Sequence, residues 1–322
     1  MADILNISTY RFVSIDDPEG LKTQLKARAD DLALKGTILL AHEGINLFLA
    51  GPGPAVQTFM AELRQDPRFA DLPTKDSWSD AVPFRKMLVK VKAEIIRMNE
   101  PTIQPQSGRA AAIAPEVVQR WLTQGHDDAG RPVMVLDTRN DFEVSYGGFR
   151  QAVNWHLSKF SEFPQAVRDH AQTLSQHTVI TYCTGGIRCE KASSYMLEEG
   201  FDEAFHLKGG ILKYFEDVPA EESMWNGECF VFDNRVTVRH DLAPGSFDQC
   251  HACRQPVSAE DMASPQYEEG ISCPHCYDSL PEKTRQRAEE RQRQIQLAKA
   301  HNRPHPIGMS PSQASPNAKA DR

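Results

Sequence analysis

The chain has 322 residues, 40% of them hydrophobic and 25% charged, with a formal net charge of −8. That length exceeds one ordinary hydrophobic core and predicts two or three domains. No apolar run approaches the roughly 20 residues a membrane-spanning helix needs, and the acidic balance excludes coating of nucleic acid by overall charge, while leaving room for a local basic surface. The opening "MADILNISTYRF" has no basic stretch followed by an apolar one and a small-residue cleavage site, so a cytoplasmic protein is expected. In that reducing compartment the seven cysteines are expected to be catalytic, metal-binding or simply buried rather than paired in disulfides.

In chain order, "ISTYRFVSI" predicts a strand, and "DPEGLKTQLKARADDLALK" a helix with Asp17 at its N-cap, Pro18 in its first turn and Gly36 as its stop. "GTILLAHEG" and "INLFLAG" predict two strands joined at a "HEG" turn, "PAVQTFMAELRQDPRF" a second helix, and "RKMLVKVKAEII" a final strand. This β-α-β-β-α-β order is that of a ferredoxin-like split sandwich, assigned to residues 1–100. The proline-bearing "MNEPTIQPQSGRAAAIAP" reads as a linker at 101–114. Beyond it the helix "PEVVQRWLTQ", the apolar runs "PVMVLDTRN" and "TVITYC", and "FDEAFHLKGG" predict an α/β domain with a parallel sheet over 115–222. "RCEKASSYMLEEG" reads as the helix after the second run, with Gly200 as its stop. "FVFDNRVTV" is a strand candidate in a cysteine-rich stretch, 223–284. Residues 285–322 read as a basic helix and a disordered tail. The architecture is therefore α+β and α/β in one multidomain chain.

Ligands of parallel sheets collect at the carboxyl ends of the strands, where both "DTRND" and "CTGGIR" lie. In the second of these loops Cys183 precedes a helix. Its thiol attacks only as thiolate, and the loop is suited to stabilise one: amides of Thr184 to Cys189 can converge on the sulfur, Gly185 and Gly186 allow the sharp turn, and Arg188 adds positive charge. Cys189 reads either as a small residue facing the core or as a redox or resolving partner at the rim of the loop. His42 and Glu43 in the "AHEGIN" turn read as a solvated loop or as a substrate contact. Phe12, Phe48 and the lysines of "RKMLVKVK" are candidates for stacking on bases and contacting phosphates.

"CTGGIRC" resembles the active-site loop of the rhodanese superfamily, and "VLDTRNDFEVSYGGFRQAVNW" and "FHLKGGILKY" resemble its flanking elements. In that family the loop cysteine carries a persulfide, and the Asp-x-Arg strand end is mostly structural. The histidine common after the turn glycine is absent, Gly147, Gly148 and Phe149 standing there, and Cys189 stands where Ser or Ala is usual. Four residues separate Cys183 from Arg188, whereas the phosphatases of this fold use five, so the loop suits sulfur or oxygen better than a phosphoryl group. Taken together, "GTILLAHEGIN", "CTGGIRCEKAS" and the cysteine-rich region are similar to the bacterial tRNA uridine hydroxylase family, over about residues 5 to 285. The resemblance implies an acylphosphatase-like N-terminal domain and oxygen-dependent conversion of wobble uridine in tRNA to 5-hydroxyuridine, with molecular oxygen as co-substrate and Cys183 and Arg188 at the site. The alternative is a sulfurtransferase carrying a persulfide. No flavin, haem or nucleotide motif is visible.

Cys250, Cys253, Cys273 and Cys276 form two Cys-x2-Cys pairs nineteen residues apart, a spacing suited to one structural Zn²⁺; a pair of disulfides is the competing reading. Lys283 to Arg303 then carries seven Lys or Arg against two Glu. That segment is either a solvated helix or a contact for tRNA phosphates.

Overall fold

A computed structural model describes residues 3–108 and 110–301. The chain divides into two compact units, the first ending at Gly245 and the second beginning at Ser246.

The first unit opens with β1 (Ile4–Phe12), α1 (Pro18–Asp31), β2 (Lys35–Ala41), β3 (Gly44–Pro52), α2 (Gly53–Leu63), β4 (Lys75–Ser79) and β5 (Met87–Val91). The Asp17 side chain caps α1 by accepting from the Gly20 amide, as expected. The helix stops earlier than the sequence suggested. Ala33 takes the left-handed conformation at φ +55, and Gly36 lies inside β2.

The sheet order is β4-β1-β3-β2-β5. The first four are the split sandwich, but its closing strand is the polar "KDSWS" of β4 rather than the "RKMLVKVK" run. That run forms β5, parallel to β2 on the opposite edge. Periodicity pointed to β5 because it alternates apolar and polar residues, whereas β4, an edge strand, pairs only with β1 and buries little. Leu5, Ile7, Ile38, Leu40, Leu47 and Leu49 pack under α1 and α2, while their strand neighbours turn to the other face.

The remainder of this unit holds β6 (Ala112–Ile113), α3 (Pro115–Gln124), β7 (Val133–Asp137), α4 (Asp141–Val144), β8 (Gly147–Phe149), β9 (Val153–Asn154), α5 (Phe163–Asp169), α6 (Ala171–Leu174), β10 (Thr178–Tyr182), α7 (Ile187–Glu198), β11 (Ala204–Leu207) and α8 (Gly210–Asp217). The five-stranded sheet runs β6-β11-β10-β7-β9, every pairing parallel. Every residue of β10 is buried, because one core lies on each face: Val118, Val135, Ile180 and Ile211 on one side, Leu136, Phe163, Val179 and Met196 on the other. That double burial explains the unbroken apolar runs. The β12 strand (Trp225–Gly227) pairs with β8. The expected strand "FVFDNRVTV" is instead a hairpin of β13 (Cys229–Phe230) and β14 (Thr237–Val238), because Asp233 and Asn234 turn the chain.

The second unit comprises β15 (Asp248–Gln249), β16 (Pro256–Val257), α9 (Ala259–Ala263) and α10 (Glu282–Ala300). Its small core is made of Cys250, Val257, Cys273 and Cys276. The basic helix is not wholly solvated: Gln292 is buried, and Arg291 donates to the Gly270 carbonyl. The expected disordered tail from 302 onward lies outside the described residues.

Candidate active site

Tyr182 ends β10 in the centre of the sheet, so the next residue, Cys183, emerges where parallel strands gather their ligands. The chain then turns at Gly186 (φ +102) into α7. The Gly186 amide donates to Cys183 Sγ at 3.1 Å. Cys189 Sγ lies 3.8 Å from Cys183 Sγ and 3.0 Å from the Gly186 carbonyl oxygen.

The cradle is narrower than a full ring of amides: those of Gly186 and Cys189 hold the sulfur, while Thr184 turns its hydroxyl to the Phe230 carbonyl. Nor is Cys189 at the rim of the loop. It is fully buried beneath it, as is Cys183, since position 189 falls on the inward face of the first turn of α7.

The loop is braced from below by α8. Ile211 and Leu212 donate their amides to the carbonyls of Cys183 and Thr184 at 3.0 and 3.1 Å. Gly210, at φ +71, makes this approach possible, since a Cβ there would stand 2.5 Å from the Cys183 oxygen. The double glycine of "FHLKGG" thus serves the cysteine loop.

Arg188 is buried, and its guanidinium grips Glu143 with two bonds of 2.5 and 2.7 Å. Glu143 comes from α4, just after the Asp-x-Arg motif, and nothing in the local sequence pattern announces it as the partner of Arg188. Burial pushes the Cys183 thiol up, but the Cys189 hydrogen bond, the Arg188 charge and the two amides outweigh that and bring it well below the ordinary thiol value. For Cys189, burial and the neighbouring sulfur act together and hold the thiol protonated. Of the two sulfurs, the surroundings therefore favour negative charge on Cys183.

Arg139 is structural. It pairs with Asp137 at 2.6 Å, donates to the Gly147 carbonyl and sits against the Tyr182 and Trp225 rings. The Tyr182 hydroxyl donates to the same Asp137.

The N-terminal sheet closes over the loop. Tyr10 donates its hydroxyl to Glu190 at 2.7 Å. Glu43 is no solvated turn residue: one oxygen accepts the Ile95 amide, and the other meets Lys191 of α7 at 2.8 Å. Lys191 also meets Glu94 at 2.6 Å. His42 contacts the Ile15 carbonyl. Between sheet and loop lies a cleft of about 490 Å³ whose lining includes Tyr10, Phe48, Lys75, Cys183, Arg188 and Phe232. Phe12 is absent from it, buried instead with Ala41, Ile95 and Ile187. Lys86, Lys90 and Lys92 are exposed. No residue-level pattern announced Tyr10, Lys75 or Lys191, because each acquires its neighbours only when the two sheets meet.

In the second unit the four cysteine sulfurs lie within 4.8 Å of one another. Their closest approaches are 3.9 Å for Cys250 to Cys276, 3.7 Å for Cys253 to Cys273 and 3.9 Å for Cys273 to Cys276. A tetrahedron of sulfurs around an ion with bonds of about 2.3 Å has edges of about 3.8 Å. The cluster can therefore hold one metal ion.

A buried, charge-stabilised cysteine on a parallel-sheet loop, roofed by a split-sandwich sheet, defines a two-part protein of the rhodanese class. Residues 4–95 match the family described as UPF0176 acylphosphatase like domain, and residues 118–217 the Rhodanese-like domain. A tRNA uridine(34) hydroxylase of Cupriavidus taiwanensis is 54% identical over 273 residues, 85% of this chain and 96% of that protein. One of the same name from Delftia acidovorans is 58% identical over 243 residues, 76% and 92% of the two chains. The chain belongs to the tRNA uridine(34) hydroxylase family.

Proposed function

We propose that the protein hydroxylates uridine 34 of tRNA at C5, with Cys183 as the nucleophile and Arg188 as its charge partner. One observation carries the reading: Cys183 lies just beneath the floor of a cleft walled by aromatic and cationic side chains of the N-terminal sheet. A wobble base belongs to a single-stranded loop and can be splayed out and stacked on such rings. Uracil is electrophilic at C6. Addition of Cys183 Sγ there moves the C5–C6 electron pair onto C5 and the O4 carbonyl, and C5 becomes the carbon that accepts oxygen. Loss of the C5 proton and departure of the sulfur from C6 then restore the ring.

With molecular oxygen as co-substrate, one atom enters at C5 and the other leaves as water with two electrons and two protons from a cellular reductant. Cys183 has no surface open to solvent, so the base reaches it by displacing a neighbour. Phe232, 46% exposed and packed over Arg188, is the side chain placed to yield.

Cys250, Cys253, Cys273 and Cys276 would hold a structural Zn²⁺, which supplies folding energy to a unit with little apolar core. The exposed Lys86, Lys90 and Lys92 in and beside β5 and the arginines of α10 would contact tRNA phosphates, with residues 1–100, 115–222 and the hairpin that carries Phe232 framing the cleft. A cytoplasmic location follows from the tRNA substrate. Persulfide transfer alone is less well supported, because a small sulfur donor needs no wall of aromatic rings. The test is incubation of the purified chain with tRNA carrying uridine 34 under ¹⁸O-labelled dioxygen. Labelled 5-hydroxyuridine is expected; hydroxylation without label would remove dioxygen from the account, and no hydroxylation with any oxidant would remove the activity.

A further inference from the structure

The chemistry proposed for Cys183 creates a second charge that the rhodanese part leaves unanswered. When the sulfur adds at C6, negative charge develops on the O4 carbonyl, carried by C4 on the other side of C5. Arg188 is committed to Glu143 by two bonds. The Tyr10 hydroxyl donates to Glu190. Burial pushes the Tyr10 phenol well above its usual range, with the Glu190 charge acting in the same direction.

We propose that Lys75, supplied by edge strand β4 of the N-terminal sheet, is a catalytic residue whose ammonium binds the uracil O4 as it becomes anionic. This rests on the reading that Cys183 adds to C6. Lys75 lines the same cleft as Cys183. It pairs across the sheet with Ser8, so the two-residue alternation of a strand puts Ser8, Tyr10 and Lys75 on one face, toward the loop. The ammonium lies 5.6 Å from the Tyr10 ring centre, and the Tyr10 hydroxyl in turn stands 3.0 Å from where a Cβ on Gly186 would be. Gly186 is the residue whose amide holds Cys183 Sγ. The Lys75 stem reaches the double glycine as well, with its Cε 3.6 Å from a Cβ built on Gly209.

Among the described residues Lys75 has no carboxylate within ion-pair distance, unlike Lys191, which has two. A half-buried cation that shares the thiolate's cleft and feels Glu216 and Glu190 only beyond ion-pair distance is poised for an anion that forms during the reaction. Burial, the dominant effect, lowers its pKa, and the neighbouring Cys183 charge opposes the shift. A preorganised donor aimed at developing charge is worth about 10²–10³ in rate.

The step can be isolated from oxygen chemistry. Adding the thiolate to C6 and protonating C5 from solvent, followed by loss of the original C5 proton and elimination, exchanges H5 with no oxidant consumed. The experiment uses the full chain with tRNA bearing uridine 34, without air, in D₂O, and reads deuterium at C5 by nucleoside mass spectrometry across tRNA concentrations. Wild type should exchange, and Cys183→Ala should not. Lys75→Met should lower the maximal exchange rate about 10²-fold or more, while the half-saturating tRNA concentration changes less than about threefold. Lys75→Arg, which keeps the charge, should recover much of the rate, and both variants should melt at the wild-type temperature. Lys75→Met with a raised half-saturation and a wild-type maximal rate would make Lys75 a phosphate anchor and overturn the proposal. A wild type that hydroxylates under air yet never exchanges H5 would instead bring down the C6-addition reading itself, and the role given to Lys75 with it.

Discussion

At Cys183 the decisive quantity is which form of the thiol is present at neutral pH. The folded thiol titrates well below the ~8.5 of a free cysteine, so the folded thiolate persists down to that lower value, while the stability linked to it is complete above ~8.5 and is lost as pH falls through the folded one. Activity should therefore hold through neutrality and decline only on the acid side. Replacing the buried pair together, Arg188→Met with Glu143→Gln, removes the guanidinium without stranding a carboxylate. It should move the acid limb up by roughly one pH unit, worth about 1.4 kcal/mol, as read by thiolate absorbance. An unmoved limb would assign the depression to Cys189 and the two amides alone. That Cys183 and Arg188 share the stretch after β10 was legible in the sequence, because an apolar run followed by a Gly-bearing turn and a helical stretch announces a strand-loop-helix. The depth of Cys189 and the commitment of Arg188 to Glu143 were not, since they depend on which way the first turn of α7 faces and on a helix 45 residues away along the chain.

Among the elements, α7 joins the two sheets. Lys191, 1% exposed in its side chain, lies between Glu43 and Glu94. Removing that cation leaves two carboxylates facing each other in a low-dielectric contact. Lys191→Met should cost about 3 kcal/mol or more, measurable as a lowered thermal midpoint, and a melt identical to wild type would show the contact to be inert. A second element-level expectation concerns α8. Gly210→Ala places a methyl against the Cys183 and Thr184 carbonyls in a backbone region that L-residues avoid, so the loop must shift and hydroxylation should fall at least about tenfold, with the amount of folded protein little changed. Helices α3 and α7 and strands β7 and β10 were readable from periodicity, because each is long or buried on both faces. Strand β4 was not, because five mostly polar residues on a sheet edge leave no apolar pattern, yet it delivers Lys75. The "HEG" turn misled in the opposite sense: a His-Glu turn looks solvated until another domain supplies Lys191.

For the molecule as a whole, the cysteine pairs were the plainest long-range signal, since spacing alone foretells a tetrahedral set. The cleft was the least visible, because its walls come from strands that touch only after both parts have folded. Metal analysis of the reduced, unstripped chain should find about one zinc, released on chelation together with loss of structure in the segment after Ser246; a metal-free chain with that segment intact would refute the structural ion. The central claim is that Cys183 performs uridine 34 hydroxylation, and nucleoside analysis of tRNA from a strain lacking this protein tests it most directly, after complementation with wild type or with Cys183→Ala produced at equal level. Wild type should restore 5-hydroxyuridine and Cys183→Ala should leave unmodified uridine, whereas normal 5-hydroxyuridine in the Cys183→Ala strain would contradict the account.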